Sequence, residues 1–190
     1  MNKMLKLPLF LGIAGAACAG VLAGVYSVTQ PIVQKNQAEA AAKAYVSMYS
    51  EYGVELSDVV VEDAVTLSDD LYNAGCSGRA IVEKADGVAY TCEVTGFGGK
   101  VKFQVAFAEG KYIGYTNLAN SETPSYGGKL IEKITEMFKG KPSADSNALT
   151  PDVYSGTTVT GAPVAAAIEV CRVDYLAWYA VNIEGGNENE

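Results

Sequence analysis

The sequence predicts an α+β domain, an antiparallel sheet with flanking helices, behind a single N-terminal transmembrane helix. Three observations lead to this fold class: an uncharged apolar run near the N-terminus, four strand-like segments separated by turn residues, and amphipathic helical segments after them. We divide the 190 residues into a cytoplasmic N-terminus with the transmembrane helix at 1–33, an extracytoplasmic domain at 34–184 and an acidic tail at 185–190.

The apolar run extends from Leu7 to Val28 without a charged residue. As a helix rising about 1.5 Å per residue it reaches roughly 33 Å, enough for a hydrocarbon core of about 30 Å. Because Lys3 and Lys6 precede it, the positive-inside rule predicts a single-pass protein of the cell membrane with a cytoplasmic N-terminus. Two alternatives stay open: a cleaved signal peptide, and a lipoprotein lipidated at Cys18.

Small residues recur every four positions in this run. Such a stripe lets a neighbouring helix approach closely, so we expect it to pack against other membrane subunits. Small residues are also common in membrane helices that only anchor a domain. The stripe consists of Gly12, Ala16, Gly20 and Gly24.

Charge and composition exclude several function classes. Of 14 basic and 22 acidic residues, only Lys3 and Lys6 precede residue 34, which leaves 12 basic and 22 acidic residues for the rest of the chain. Nucleic acid would be repelled by so acidic a domain, and we expect no such partner. The chain has no histidine, which excludes Ser-His-Asp and Cys-His catalysis and His-containing zinc sites.

The outer domain is predicted to begin with an Ala-rich helix from Gln37 to Ser50 and a short strand at 59–61. Four clearer strands follow, and the turn pairs between them supply positive φ. In the third strand apolar residues alternate with Lys100, Lys102, Gln104 and Ala106, which predicts one buried and one wetter face. The four strands are 79–84, 88–96, 100–108 and 111–118, and the turn pairs are Asp86-Gly87, Gly98-Gly99 and Glu109-Gly110.

Two helices complete the domain, from about Gly128 to Phe138 and from about Ala162 to Tyr179, with a turn-rich loop at 140–152 between them. Residues of the last helix form an apolar stripe at helical spacing, so we expect this face to be buried. The stripe consists of Val164, Ile168, Cys171, Tyr175 and Trp178.

The cysteines predict neither a metal site nor a redox role. If two strands pair about Asp86-Gly87, Cys92 faces residues near Ile81 and not Cys76, so the register predicts no disulfide between these two cysteines. Cys171 lies in the apolar stripe of the last helix, and we expect it to be a core residue.

The loop before the last helix carries the candidate chemistry. Residues 152–163 place hydroxyls and glycines immediately before an apolar helix. Free backbone N–H groups and the helix dipole favour an anion such as phosphate there, Gly156 allows close approach, and Pro163 suits a first helical turn. The alternative is an ordinary N-cap.

The same loop resembles the flavinylation motif D-x-x-(S/T)-G-A-T of the FMN-binding domain. That domain occurs in the G subunit of Rnf complexes and in the C subunit of the sodium-translocating NADH:quinone oxidoreductase. Asp152, Ser155, Gly156 and Thr158 match the motif, while Thr157 replaces the usual Ala.

Two further segments resemble the family in the expected order. Residues 95–100 (Thr-Gly-Phe-Gly-Gly-Lys) are similar to its aromatic-glycine turn. Residues 121–130 are similar to its E-T-P-G-L-G segment, with Ser125 and Tyr126 in place of Gly and Leu. The resemblance extends from the N-terminal helix to residue 184.

The resemblance implies that FMN is bound covalently, through a phosphoester on Thr158 made by a separate flavin transferase that uses FAD. It implies an electron-relay subunit, not catalytic alone, in an Rnf-type ion-translocating ferredoxin:NAD oxidoreductase, with other membrane subunits as partners. Phe97 and Tyr126 would flank the isoalloxazine ring or belong to the core. The remaining implied cofactor-binding residues are Ser155, Gly156, Thr157, Asp152, Glu122 and Thr123.

The sequence leaves two other functions open. An independent flavin carrier at the outer surface, lipid-anchored at Cys18, would keep the fold and the cofactor. In a flavin-free, membrane-tethered assembly module the threonine-rich loop would only cap a helix. The turn at Glu122 and Thr123 would then also be only a helix cap.

Overall fold

The computed structural model describes residues 3–63, 66–144, 150 and 155–185. Contacts divide the chain into two units, Met1–Ala40 and Ala41–Glu190. The long helix α1 (Lys3–Met48) supplies the first unit and begins the second. Within the first unit, Leu11–Val33 forms 23 residues of mean hydropathy 1.8, and by length and composition this helix can cross a membrane.

The second unit contains a five-stranded antiparallel sheet in which neighbouring strands follow sequence order. This confirms the predicted α+β class and its meander. The strands are β1 (Val60–Asp63), β2 (Cys76–Val82), β3 (Gly87–Thr95), β4 (Lys100–Ala108) and β5 (Lys111–Asn120), and the further helices are α2 (Asp69–Asn73), α3 (Lys129–Phe138) and α4 (Thr158–Tyr179).

Both faces of the sheet are covered, whereas the alternation in β4 predicted a wetter face. Gln104 and Ala106 on that face are fully buried, because the end of α1 lays Tyr45 and Tyr49 over it. The Tyr49 hydroxyl donates to the Phe107 carbonyl oxygen at 2.8 Å. Only the first part of β4, at Lys100, is exposed as predicted.

The opposite face of the sheet packs against α3 and α4 and forms the main core. The predicted stripe of α4 faces this core, with Val164, Ile168, Cys171 and Tyr175 buried and Trp178 partly buried. Phe107 on β4 stacks on Tyr175 with ring centroids 4.9 Å apart. This packing against the sheet therefore fixes the position of α4 relative to the ends of β3 and β4.

The turn between β2 and β3 is longer than the sequence predicted. Val82 pairs with Gly87, and a 3-10 turn at Glu83–Ala85 with Asp86 at φ 44° connects them. Gly87 is thus the first residue of β3 and not a turn residue. The pairing of the two strands is accordingly offset from the predicted register.

This register corrects the expectation about the cysteines. An irregularity between Cys76 and Gly78 places Cys76 directly opposite Cys92, and the two form a disulfide. The Sγ atom of Cys171 lies 3.5 Å from each of the two bonded sulfurs. As predicted, Cys171 is a core residue, since it is fully buried in the main core.

We expect Cys171 to be unreactive in the folded protein. Burial, and secondarily the charge of Asp174, raises the pKa of its thiol well above the usual range, so it stays protonated near neutral pH. Iodoacetamide at pH 8 should leave Cys171 unmodified until the protein is denatured, and peptide mapping should find Cys76 linked to Cys92. Rapid labelling of folded protein at Cys171 would contradict this.

Alkaline pH is expected to destabilise the outer domain. Burial raises the pKa of five core tyrosines above the ordinary value of 10.0, so the folded state keeps their protons where the unfolded state has lost them. The stabilisation is therefore complete below pH 10 and declines as the pH rises above it. The urea midpoint should fall between pH 9 and pH 11, and a constant midpoint would contradict this. The tyrosines are Tyr45, Tyr49, Tyr90, Tyr115 and Tyr175.

Candidate functional site

The helix α4 begins at Thr158, four residues before the predicted start. Thr157 is its N-cap residue, and its carbonyl oxygen accepts the N–H groups of Thr160 at 3.0 Å and Gly161 at 2.8 Å. Pro163 consequently lies inside the helix and not in its first turn. Thr158 itself occupies the first helical position, where backbone N–H groups lack partners within the helix.

A four-residue turn, 96–99, joins β3 to β4 and lies against this helix start. The turn is closed by the Gly96 N–H, which donates to the Gly99 carbonyl oxygen at 2.7 Å. Two side chains from distant parts of the chain accept its next two N–H groups. Phe97 N–H donates to Thr160 Oγ1 at 3.1 Å, and Gly98 N–H donates to Glu122 Oε1 at 3.0 Å.

The carboxylate of Glu122 fits between two turns because its neighbours are glycines. A Cβ at Gly96 would lie 2.2 Å from Glu122 Oε1, and one at Gly127 would lie 2.3 Å from Oε2. The residue is 8% exposed, and its own N–H donates to Asn120 Oδ1 at 3.0 Å. Any larger residue at Gly96 or Gly127 would displace the carboxylate from the turn.

These elements enclose a cavity of about 300 Å³. The structure thereby brings together five of the seven predicted site residues: Glu122, Thr123, Gly156, Thr157 and Thr158. The volume of this cavity lies in the range of small-molecule sites. The remaining lining residues are Phe97, Gly127, Val159 and Thr160.

A second cavity of about 350 Å³ adjoins the same loop. Ser155 lies there with Gly156, which adopts the left-handed φ of 82° that glycine allows. Lys129 and Lys133 of α3 line its other side. Ser155 is therefore separated from the 300 Å³ cavity by Gly156 and Thr157, which line both.

Two predicted participants lie outside the described residues. The structure does not describe the segment that contains Asp152, nor the side chain of Tyr126. Their proposed roles stay predictions.

The three threonines of the loop differ in accessibility. Thr158 is exposed and lines the cavity, and Thr157 is partly buried. Thr160 is 1% exposed, and its oxygen already accepts the Phe97 N–H. Thr158 is therefore the threonine of this loop that presents an exposed hydroxyl at the first turn of α4.

Sequence reasoning missed Thr160 and Gly127 as parts of the site. Thr160 acts on a turn 63 residues away, and no local pattern signals such a contact. The sequence shows Gly127 only as part of the segment that resembles the family, and the close contact to Glu122 that requires a glycine there is visible only in the fold.

A larger groove of about 930 Å³ lies between α2, β3 and α4 but contains none of the predicted site residues. Carboxylates from Asp70, Glu93, Glu169 and Asp174 stand among its lining residues, and none of the described lining residues is basic. Three of these carboxylates are paired with cations: Asp174 with Arg79, Glu93 with Lys100 and Glu169 with Arg172. Because this groove contains none of the predicted residues and the smaller cavity beside Thr158 contains five, the smaller cavity is the better candidate site.

Residues 96–172 match the family model of the FMN-binding domain. The matched segment begins at Gly96 in the 96–99 turn and includes Glu122 and the threonine loop, so it supplies the described lining of the 300 Å³ cavity. This stretch of the chain is therefore similar to an FMN-binding domain. No curated protein matches the chain.

Proposed function

We propose that this chain is a membrane-anchored flavoprotein subunit that relays electrons through FMN joined to Thr158 by a phosphoester. We further propose that it works in an Rnf-type ion-translocating ferredoxin:NAD oxidoreductase. The observation that carries the proposal is the 300 Å³ cavity, where the three segments that resemble the family meet within the stretch that matches the FMN-binding domain.

The residues around Thr158 fit a phosphoester. At the start of α4 the N–H groups of Thr158 and Val159 precede the first hydrogen bond of the helix, which Thr160 makes, and N–H groups in this position favour an anion. Lys129 and Lys133 line the adjoining cavity with Ser155, so two cations and a hydroxyl stand near the loop in an otherwise acidic domain. An ester phosphate keeps one negative charge, which these groups would stabilise.

The cavity also fits the flavin itself. Phe97 and Val159 supply apolar surface, while Glu122 and the threonine hydroxyls supply polar contacts. FMN supplies one- and two-electron transfer when it is bound, and the chain supplies attachment, orientation and surroundings. No side-chain catalytic group is required for this relay.

Thr158 would act as a nucleophile once, during maturation. Its oxygen forms a bond to the FMN phosphorus of FAD, the bond between the two phosphates breaks, and AMP leaves. The hydroxyl proton passes to a base. Because the pKa of a threonine hydroxyl lies far above neutrality, we propose that the flavin transferase supplies that base and the metal ion.

The apolar helix supports the membrane part of the proposal. Leu11–Val33 is long enough to span, and no described atom lies within 4 Å of a Cβ built at Gly12, Gly20 or Gly24. This stripe leaves room for close packing by helices of other membrane subunits. By the positive-inside rule, Lys3 and Lys6 support a topology with the N-terminus in the cytoplasm and the flavin domain outside.

Purification of the tagged full chain from its native membrane tests the proposal. We expect a mass gain of one FMN less water on the peptide that contains Thr158, together with copurifying membrane subunits and ferredoxin:NAD oxidoreductase activity. An unmodified peptide from cells with an active transferase would contradict covalent attachment. A flavinylated chain without partner subunits would contradict the Rnf assembly and favour an independent carrier.

A further inference from the structure

A large aromatic side chain is exposed at the rim of the candidate cavity. Phe97 is 79% exposed at the tip of the 96–99 turn and lines the cavity with Thr158. An exposed phenylalanine gains little stability from burial, yet buried side chains hold its turn in place. We propose that Thr160 and Glu122 are positioning residues that fix Phe97 as an aromatic wall for the flavin ring, an inference that rests on the proposed function.

Two consecutive N–H groups of the turn donate hydrogen bonds to side chains from distant parts of the chain, and we call these two hydrogen bonds the ties. Thr160 Oγ1 accepts from Phe97 and Glu122 Oε1 accepts from Gly98, at 3.1 and 3.0 Å. Both acceptors are buried, with exposures of 1% and 8%, so water competes little for the two N–H groups. Two adjacent ties fix the direction in which the Phe97 side chain leaves the turn.

The tie to Thr160 connects the aromatic wall to the attachment point. Thr160 lies two residues after Thr158 in the first turn of α4, which is itself held by N–H bonds to the Thr157 carbonyl. The helical turn that carries the flavin phosphate therefore also sets the position of Phe97. The flavin ring would then lie between its own anchor and the Phe97 side chain.

Glu122 completes the arrangement from the opposite side. A Cβ at either Gly96 or Gly127 would lie too close to its carboxylate, so both turns depend on the same side chain. Its N–H bond to Asn120 Oδ1 fixes its own backbone. Thr160 and Glu122 consequently act through the backbone of the turn.

Hydrogen exchange in flavin-free protein tests the tie directly. In the full-length Thr158→Ala background, Thr160→Val keeps the side-chain shape but removes the acceptor, and Thr160→Ser restores it. We expect Thr160→Val to speed exchange of the Phe97 N–H by about three- to tenfold, and Thr160→Ser to stay near the parent. Equal exchange in all three proteins would overturn the tie.

Flavin fluorescence in the loaded, full-length protein tests the consequence. With one FMN per chain confirmed by mass, Phe97→Leu and Thr160→Val should both raise the Stern–Volmer constant for quenching of the flavin by iodide about twofold, because the aromatic side chain no longer covers the ring, while Thr160→Ser matches the wild type. Val181→Ala, at an exposed position of the turn at Ala180–Glu184, is the matched control. An unchanged quenching constant in loaded Thr160→Val would overturn the inference alone, whereas a wild type without flavin on Thr158 would overturn the proposed function.

Discussion

Replacing Thr158 by alanine is expected to abolish covalent attachment of FMN completely. Alanine offers no oxygen for the phosphoester, and Thr160 is buried with its oxygen already accepting a hydrogen bond. Thr158 is exposed at the cavity, so its replacement by alanine should leave the fold intact. Intact mass and in-gel flavin fluorescence after coexpression with a flavin transferase measure the result.

Thr157→Ala is the matched control, because Thr157 precedes Thr158 and lines the same cavity. It restores the alanine of the family motif, and we expect full flavinylation. Thr158→Ser keeps a hydroxyl and should retain attachment at a reduced rate. Flavin on Thr157 in the Thr158→Ala variant would contradict the assignment of the acceptor, while the covalent flavoprotein itself would stand.

The sheet was predictable because its signals are local. The Glu109-Gly110 pair supplies two consecutive residues with positive φ, at 49° and 72°, between β4 and β5. The alternation from Val101 to Phe107 marks the face that meets α3 and α4. Such patterns depend on neighbours within a few residues, and the sequence displays those directly.

Features set by distant contacts were missed. The second face of β4 is buried because Tyr45 and Tyr49, about sixty residues earlier, lie on it. The disulfide between Cys76 and Cys92 depends on a longer turn and on an irregularity in β2. These two features move the partner of Cys92 by five residues, from the predicted Ile81 to Cys76, and composition does not encode such a shift.

The candidate site also has parts that local sequence patterns predict and parts that only distant contacts determine. Thr158 and Gly156 stand in a short motif that the sequence displays, whereas the start of α4 was misplaced because Pro163 resembles a first-turn residue. In the structure the hydroxyl-rich loop itself begins the helix. The ties from Thr160 and Glu122 to the 96–99 turn join segments far apart in sequence, so only the fold displays them.

Replacing Phe107 by alanine is expected to lower the free energy of unfolding of the outer domain by about 3–5 kcal/mol. Phe107 is fully buried at the centre of an aromatic cluster, with ring centroids 4.7 Å from Tyr112, 4.9 Å from Tyr175 and 6.0 Å from Tyr90. Removing the ring leaves a cavity and also ends these ring contacts.

The neighbouring rings cannot easily close that cavity, because hydrogen bonds hold their hydroxyl ends. Gly110 N–H donates to the Tyr175 hydroxyl at 2.9 Å, and the Tyr90 hydroxyl donates to Asp174 Oδ2 at 2.6 Å. Filling the space would break these bonds inside the core, where an unpaired polar group costs about 1–3 kcal/mol. We therefore expect a cost in the upper part of the range.

Phe97→Ala is the matched control, since it removes the same ring from an exposed position. We expect it to change the free energy of unfolding by less than about 0.5 kcal/mol. Urea unfolding of the full chain, followed by near-ultraviolet circular dichroism, should give a much lower midpoint for Phe107→Ala only. Equal midpoints for the two variants would mean that this cluster does not hold α4 against the sheet. The position of the Thr158 turn relative to the 96–99 turn would then have to depend on the ties from Thr160 and Glu122 alone.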